Sequence, residues 1–198
     1  MPDEADFRKT IALTNLGAGL TRSKRFEEAL PILQANVLRG ERLNPDNWND
    51  IACELSNLGT CYMMLDNDAE AVRCLRRAQF GFSTALGPQH PSTINANHNL
   101  ACALTYMDRF EEAAAVLREQ LAIATPALGP DDITTISANL QLGHVLTLQE
   151  KLAEAGDVLE ATVRRSRRVL GATHPTTRDG LRIADELRVR REERGEAG

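Results

Sequence analysis

Histidine and cysteine are the side chains best suited to nucleophilic or metal chemistry here, and the chain carries four of each. His98 and Cys102 stand one helical turn apart, so a thiol–imidazole contact is open to them. Nothing in the sequence supplies a group to orient that imidazole or an oxyanion hole beside it. His144 follows in the next segment of the chain, but Cys102 is the only candidate for a third ligand to join the two imidazoles on a metal. The cysteines, Cys53, Cys61, Cys74 and Cys102, form no CxxC pair and no metal-ligand spacing, and read as reduced packing residues of a cytoplasmic protein. His90 and His174 both precede a proline in matching loops and read as structural. There is no phosphate-binding glycine loop and no nucleophile elbow. Neither catalysis, a cofactor nor a metal is expected.

A different chemistry is spaced regularly. Asn15, Asn57, Asn99 and Gln141 are separated by 42 residues, each one position before a leucine: Leu16, Leu58, Leu100 and Leu142. A carboxamide both donates and accepts hydrogen bonds, so four at one phase of a repeat make a ladder able to hold a peptide backbone of any sequence.

The elements that position this ladder follow the same period. Ala29, Ala71, Ala113 and Ala155 keep it, as do Leu33, Leu75, Leu117 and Leu159. Phe26, Asp68, Phe110 and Leu152 keep the spacing and vary the residue. A fixed period of this size means an array of like units, each unable to bury its apolar face alone. Ala, Leu and Arg dominate and aromatics are only 4%, which favours helix. In one unit LGPQHPST, residues 86–93, breaks a helix and starts another, with Pro91 suited to the first turn. A helix follows over about 91–106 with Ile94, Leu100, Ala101 and Leu104 at helical spacing, then a break at Asp108, then a second helix over about 110–124. LGPDDITT and LGATHPTT restart the pattern. Helices joined by so short a link lie antiparallel. Gly17, Gly59, Ala101 and Gly143 share a phase, and small residues there imply close helix contact that offsets the cost of helical glycine, roughly 1 kcal/mol.

Two irregularities stand out. The first junction, RLNPDNWND at 42–50, lacks the LG-x-x-HP form and shifts the loop by one residue. Asp68 replaces an aromatic or leucine, so a looser packing layer is expected there, with Asn67 and Glu70 as a capping box.

Net charge is −5, so general attraction to nucleic acid is not expected. The opening MPDEADFRKT is acidic and has no apolar stretch, so no signal peptide is expected, and no run of apolar residues is long enough to span a membrane.

These residues resemble tetratricopeptide repeats, in the 42-residue variety of kinesin light chains and their relatives. The resemblance rests on NLG at 15–17 and 57–59, NLA at 99–101, RFEEA at 25–29 and 109–113, and the two HP loops, and it covers about 7–187. It implies an all-α, right-handed α-solenoid of antiparallel helix pairs with a C-terminal capping helix. The expected layout is one domain over 1–190, with repeats at about 6–43, 48–86, 91–128 and 133–170. A capping helix over about 175–190, with Leu181, Ala184 and Leu187 apolar, and a flexible tail over 191–198 complete it.

The resemblance also implies a function without catalysis: a scaffold or adaptor that binds an extended peptide or partner protein on its concave face, which the first helix of each pair lines. The expected contact residues are Asn15, Asn57, Asn99 and Gln141, with Thr14, Arg22, Ser56, Thr60, Asn95, His98, Thr105 and His144 at helical spacing from them. That groove is polar and mostly uncharged. Thr14 and Ala18 occupy the phases where receptors for chaperone tails carry Lys and Asn, so a carboxylate clamp is not expected.

Two further readings compete. A regulatory or oligomerisation domain working with a separately encoded effector is the first, with self-association through the first helix near Phe7, Ile11 and Leu16. The second is a contact through the basic run RRSRR at 164–168, to nucleic acid or an acidic partner.

Overall fold

The structure is a computed structural model that describes the backbone of residues 4–195 and the side chains of 12–195. Nine helices occupy the described residues, and there is no strand among them. They are α1 (Glu4–Arg22), α2 (Phe26–Leu43), α3 (Trp48–Met64), α4 (Asp68–Leu86), α5 (Pro91–Tyr106), α6 (Phe110–Leu128), α7 (Ile133–Leu148), α8 (Leu152–Leu170) and α9 (Pro175–Glu193). The chain divides into two compact units, the first ending at Ala103 inside α5 and the second starting at Leu104.

In the first unit α1 packs on α2, α2 on α3 and α3 on α4, while α1 also touches α3. First helices of successive pairs therefore lie side by side. The core is built from the recurring positions: Ala29 and Leu33 from α2, Leu55 and Leu58 from α3, Ala71 and Ala78 from α4, joined by Ala96 of α5. A fully buried leucine of this kind contributes about 1.5–3 kcal/mol. The glycine phase works as its spacing implies. A Cβ on Gly17 would lie 2.8 Å from Leu33, and one on Gly59 2.7 Å from Leu75, closer than side chains can approach. The repeated glycine thus makes room for the repeated leucine of the second helix.

In the second unit α6 packs on α7, α7 on α8 and α8 on α9, and α7 lies beside α9. Of the expected apolar residues of α9, Leu187 is buried, while Leu181 and Ala184 are half-buried and Gly180 and Ile183 complete the buried face. Gly180 decides this: it sits against Leu140 and Val163, so the helix turns that face inward. The end of α9 is fixed by Arg191, whose guanidinium lies over Gly156 and donates to the Leu152 carbonyl oxygen at 2.7 Å. The helix runs three residues past the expected end at 190, and residues 196–198 of the expected tail lie outside the described residues.

The links between helices have two recurring solutions. Each three-residue link within a pair places one residue in the left-handed region: Lys24, Asp66, Asp108 and Glu150, with φ of 54–60°. Links between pairs use Gly87, Gly129 and Gly171 at φ 86–87°. The first junction has Pro45 at that phase, which cannot adopt a positive φ, and α2 ends instead on Asn44 at φ −149°.

Caps also recur. His90 Nδ1 accepts from the Ser92 N–H at 3.1 Å, Asp132 Oδ1 from Thr134 N–H at 2.8 Å and His174 Nδ1 from Thr176 N–H at 3.2 Å. The loop histidines are helix caps, and Asp132 stands in for histidine at the same phase. In the shifted first junction the cap moves to Asn47, which accepts from Asp50 N–H at 3.3 Å.

Two expectations at the second pair are corrected. Asn67 makes no side-chain cap bond, and the Glu70 side chain, which would complete the reciprocal half of a capping box, pairs with Arg73 instead. The layer beside Asp68 is not loosened either: Ala71, Leu75 and Ala78 are all fully buried there. Asp68 stays half-exposed at the helix start, so its charge never enters the core.

Candidate functional site

The expected contact residues lie on the first helices of the pairs, and each unit holds its own share of them. In the first unit Asn15 is exposed on α1, Asn57 half-buried on α3 and Asn99 half-buried on α5. The next residue of α3 and of α5, Leu58 and Leu100, is buried, so at these two positions the carboxamide stands at the wet edge of a helix whose adjoining side points into the core. Leu16 breaks the pattern and is 49% exposed.

The neighbours differ in how far their polar groups are already used. Ser56 and Thr60 are half-buried, and the Thr60 hydroxyl donates back to the Ser56 carbonyl oxygen at 2.9 Å. Arg22 and Asn95 are exposed. His98 is exposed, with Nε2 3.7 Å from Cys102 Sγ, the contact that their one-turn spacing allows.

Thr14 is engaged within the fold: its hydroxyl donates to Glu54 Oε1 across α1 and α3. Glu54 is buried and also accepts from Asn36 Nδ2 of α2 at 3.4 Å. Burial pushes its carboxyl above the ordinary range, the two hydrogen bonds pull it down, and Asp50 raises it. Sequence reasoning passed over this residue. The available signal was its phase, where the later units carry Ala96, Ala138 and Gly180.

In the second unit Thr105, Gln141 and His144 are half-buried. His144 Nε2 lies 3.6 Å from Glu186 Oε2, a contact between α7 and α9. Burial lowers the His144 pKa, Glu186 raises it, and Arg182 and Arg190 lower it further. Thr147, one turn on, is fully buried, with its hydroxyl donating to the Gly143 carbonyl oxygen at 2.9 Å, and offers nothing to a ligand.

An open groove of about 520 Å³ runs along α9. Its charges are largely matched to one another: Arg194 pairs with Glu150, and Arg190 with Glu186 at 3.4 Å. The basic run on α8 is matched in part. Arg164 pairs with Glu160 at 3.1 Å, and Asp131 takes both Arg165, at 3.2 Å, and Arg168, at 2.7 Å. Arg165 and Arg168 anchor the α6–α7 loop, and the two carboxylates offset half of the charge on the four arginines.

Burial pushes the Cys61 and Cys74 thiols up, away from the nucleophilic thiolate, and Cys61 donates to the Phe26 carbonyl oxygen at 3.3 Å. All four cysteines are free thiols. Among the described residues no group of three or more His, Cys, Asp or Glu is placed to hold a metal, and no helix is long and apolar enough to cross a membrane. Side chains of Phe7 and Ile11, expected to shape a self-association face, lie outside the described ones.

Tetratricopeptide-repeat profiles match residues 50–125 and 135–176, together more than half of the chain. No curated protein sequence matches it significantly. Among solved structures, a Podosopora anserina protein of nearly identical TPR-like repeats, named for kinesin light chain, superposes with a TM-score of 0.76 at 20% identity, covering 95% of this chain and 88% of that one. A singly substituted form of the same protein gives 0.78 at 21% identity, covering 95% and 87%. BtubC (BKLC) from P. vanneervenii gives 0.74 at 15% identity, covering 98% of this chain and 74% of that one. At such identities the likeness is one of fold, and with the helix pairs it shows an all-α solenoid.

Proposed function

The chain belongs to the tetratricopeptide repeat family, and on that premise we propose that its first helices recognise an extended segment of a partner protein. The family makes it a protein-interaction repeat; the finer reading concerns where and how. One observation carries it: Asn57 and Asn99 hold one phase on successive first helices, each water-accessible and each beside a buried leucine. Carboxamides so placed match the alternating donors and acceptors of a bound backbone. Asn15 and Gln141 extend the set by sequence phase, and Arg22, Ser56, Thr60, Asn95, His98, Thr105 and His144 supply side-chain contacts. Thr14 takes part indirectly, by holding Glu54. Binding then rests on hydrogen bonds and shallow apolar contact more than on salt-sensitive charge pairing. Four free thiols suit a reducing compartment, which supports a cytoplasmic location.

Affinity capture from the source lysate tests this, with native protein beside an Asn57→Ala, Asn99→Ala variant and captured chains identified by mass spectrometry. A partner lost with the variant supports the reading. A partner held equally by both moves the interface elsewhere.

A second reading, a regulatory or oligomerisation domain acting with a separately encoded effector, has one observation in its favour. Leu16 is exposed where its counterparts Leu58, Leu100 and Leu142 are buried. It predicts a mass that rises with concentration and falls on Leu16→Ser.

A further inference from the structure

The buried carboxyl of Glu54 stands where three helices meet, and the peptide-binding reading gives it no task. Thr14 of α1 donates to one of its oxygens, and Asn36 Nδ2 of α2 donates to the other at 3.4 Å. Glu54 is 7% exposed and Asn36 1%, and the Oδ1 of the same Asn36 amide is buried without a hydrogen-bond partner. The node is particular to this place in the chain. Later units carry Ala96, Ala138 and Gly180 at the phase of Glu54, and no later unit repeats Thr14, whose phase holds Ser56, His98 and Leu140.

No cation answers this carboxyl among the described residues. Neither Arg39, one turn along α2 from Asn36, nor any group of α4 offsets its charge. The charge that does act on it is that of Asp50, one turn back on α3, and it has the same sign. A buried acid without a counter-ion is stable with its proton on and strained with it off.

α1 is the element placed to respond. Among the described residues it packs on α2 and α3 alone, whereas α3 is held by α1, α2 and α4. Asn15 and Leu16, which follow Thr14, are already exposed. Outer elements with few buried contacts open at lower cost than the core they cover. Lifting α1 takes the Thr14 hydroxyl away from Glu54 and admits water to the carboxylate.

We propose that Glu54 is a proton-controlled latch for α1: as the acid it holds α1 on α2 and α3, and as the carboxylate it gains water by releasing α1. Release withdraws Asn15 from the carboxamide row, so the latch regulates the partner site. That consequence rests on the peptide-binding reading; the latch itself does not.

Hydrogen exchange of the full chain, read by mass spectrometry over a pH series and corrected for intrinsic rates, tests the latch with no partner present. Protection of the α1 amides should be constant below the ordinary carboxyl value of 4.5. Above it, protection should fall by up to about tenfold per pH unit and then level off once the raised value is passed. The amides of α3 and α4 should show no such fall. Glu54→Gln, which cannot ionise, should abolish the pH dependence. Should that variant lose helix by circular dichroism, Thr14→Val decides. It removes a bond that favours the carboxylate, so the pH-dependent loss at α1 should grow. Protection of α1 that ignores pH, that varies equally in Glu54→Gln, that is unchanged in its pH dependence by Thr14→Val, or that falls together with α3 and α4 would overturn the proposal.

Discussion

A Cβ on Gly143 would lie 2.5 Å from Cδ2 of Leu159, so the leucine of the second helix occupies the space any larger residue of the first would need. Gly17 with Leu33 and Gly59 with Leu75 repeat this contact. On helix propensity alone Gly143→Ala would stabilise by roughly 1 kcal/mol. Overpacking costs about 1–3 kcal/mol and wins, because the clash falls on a fully packed side chain rather than a flexible tip. The urea midpoint of Gly143→Ala should fall. Gly143→Ala combined with Leu159→Ala should do better than the sum of the two single losses, since the smaller partner relieves the clash. A raised midpoint for the single variant would show the contact to be loose.

The capping phase makes a second prediction. His174→Ala should lose about 0.5–2 kcal/mol, the usual worth of an N-cap acceptor, as a drop in urea midpoint. His174→Asp should keep the cap, because Asp132 already performs it at the equivalent place. If Asp proves as damaging as Ala, the histidine ring matters for packing rather than for the bond to Thr176.

Glu54 makes a third, in pH. Its folded carboxyl is raised above the ordinary value of 4.5, chiefly by burial. A folded state that holds a proton more tightly than the unfolded chain is stabilised by acid. That stability is complete below the ordinary value and is lost as pH rises through the raised one. Glu54→Gln keeps the hydrogen-bonding shape without the charge. Its advantage in urea midpoint over the native chain should therefore be absent in acid and grow through that window. A difference that stays flat with pH would mean that Thr14 and Asn36 fully compensate the buried charge.

What the chain discloses about itself depends on whether a feature repeats. Leu33, Leu75, Leu117 and Leu159 are legible because each occupies the same packing slot, and the glycine phase is legible because it faces that slot. The left-handed turn residues are not. Lys24, Asp66, Asp108 and Glu150 share a φ near 60° but have little else in common, since the constraint comes from the three-residue link and not from the side chain. The buried face of α9 is legible only at Leu187, because it turns on Gly180, a residue with no side chain to reveal it. At the site, the Asn phase is periodic and readable, whereas Glu54 is particular to one pair and depends on contacts from α1 and α2 that sequence spacing does not encode.

The central claim is that the carboxamides of the first helices hold a partner backbone. Its most direct test is titration calorimetry of the captured partner against the native chain and the Asn57→Ala, Asn99→Ala variant. Each lost hydrogen bond is worth about 0.5–1.5 kcal/mol, so Kd should rise by about tenfold with the urea midpoint unchanged. A Kd unaltered by the double substitution, in a variant as stable as the native chain, would contradict it.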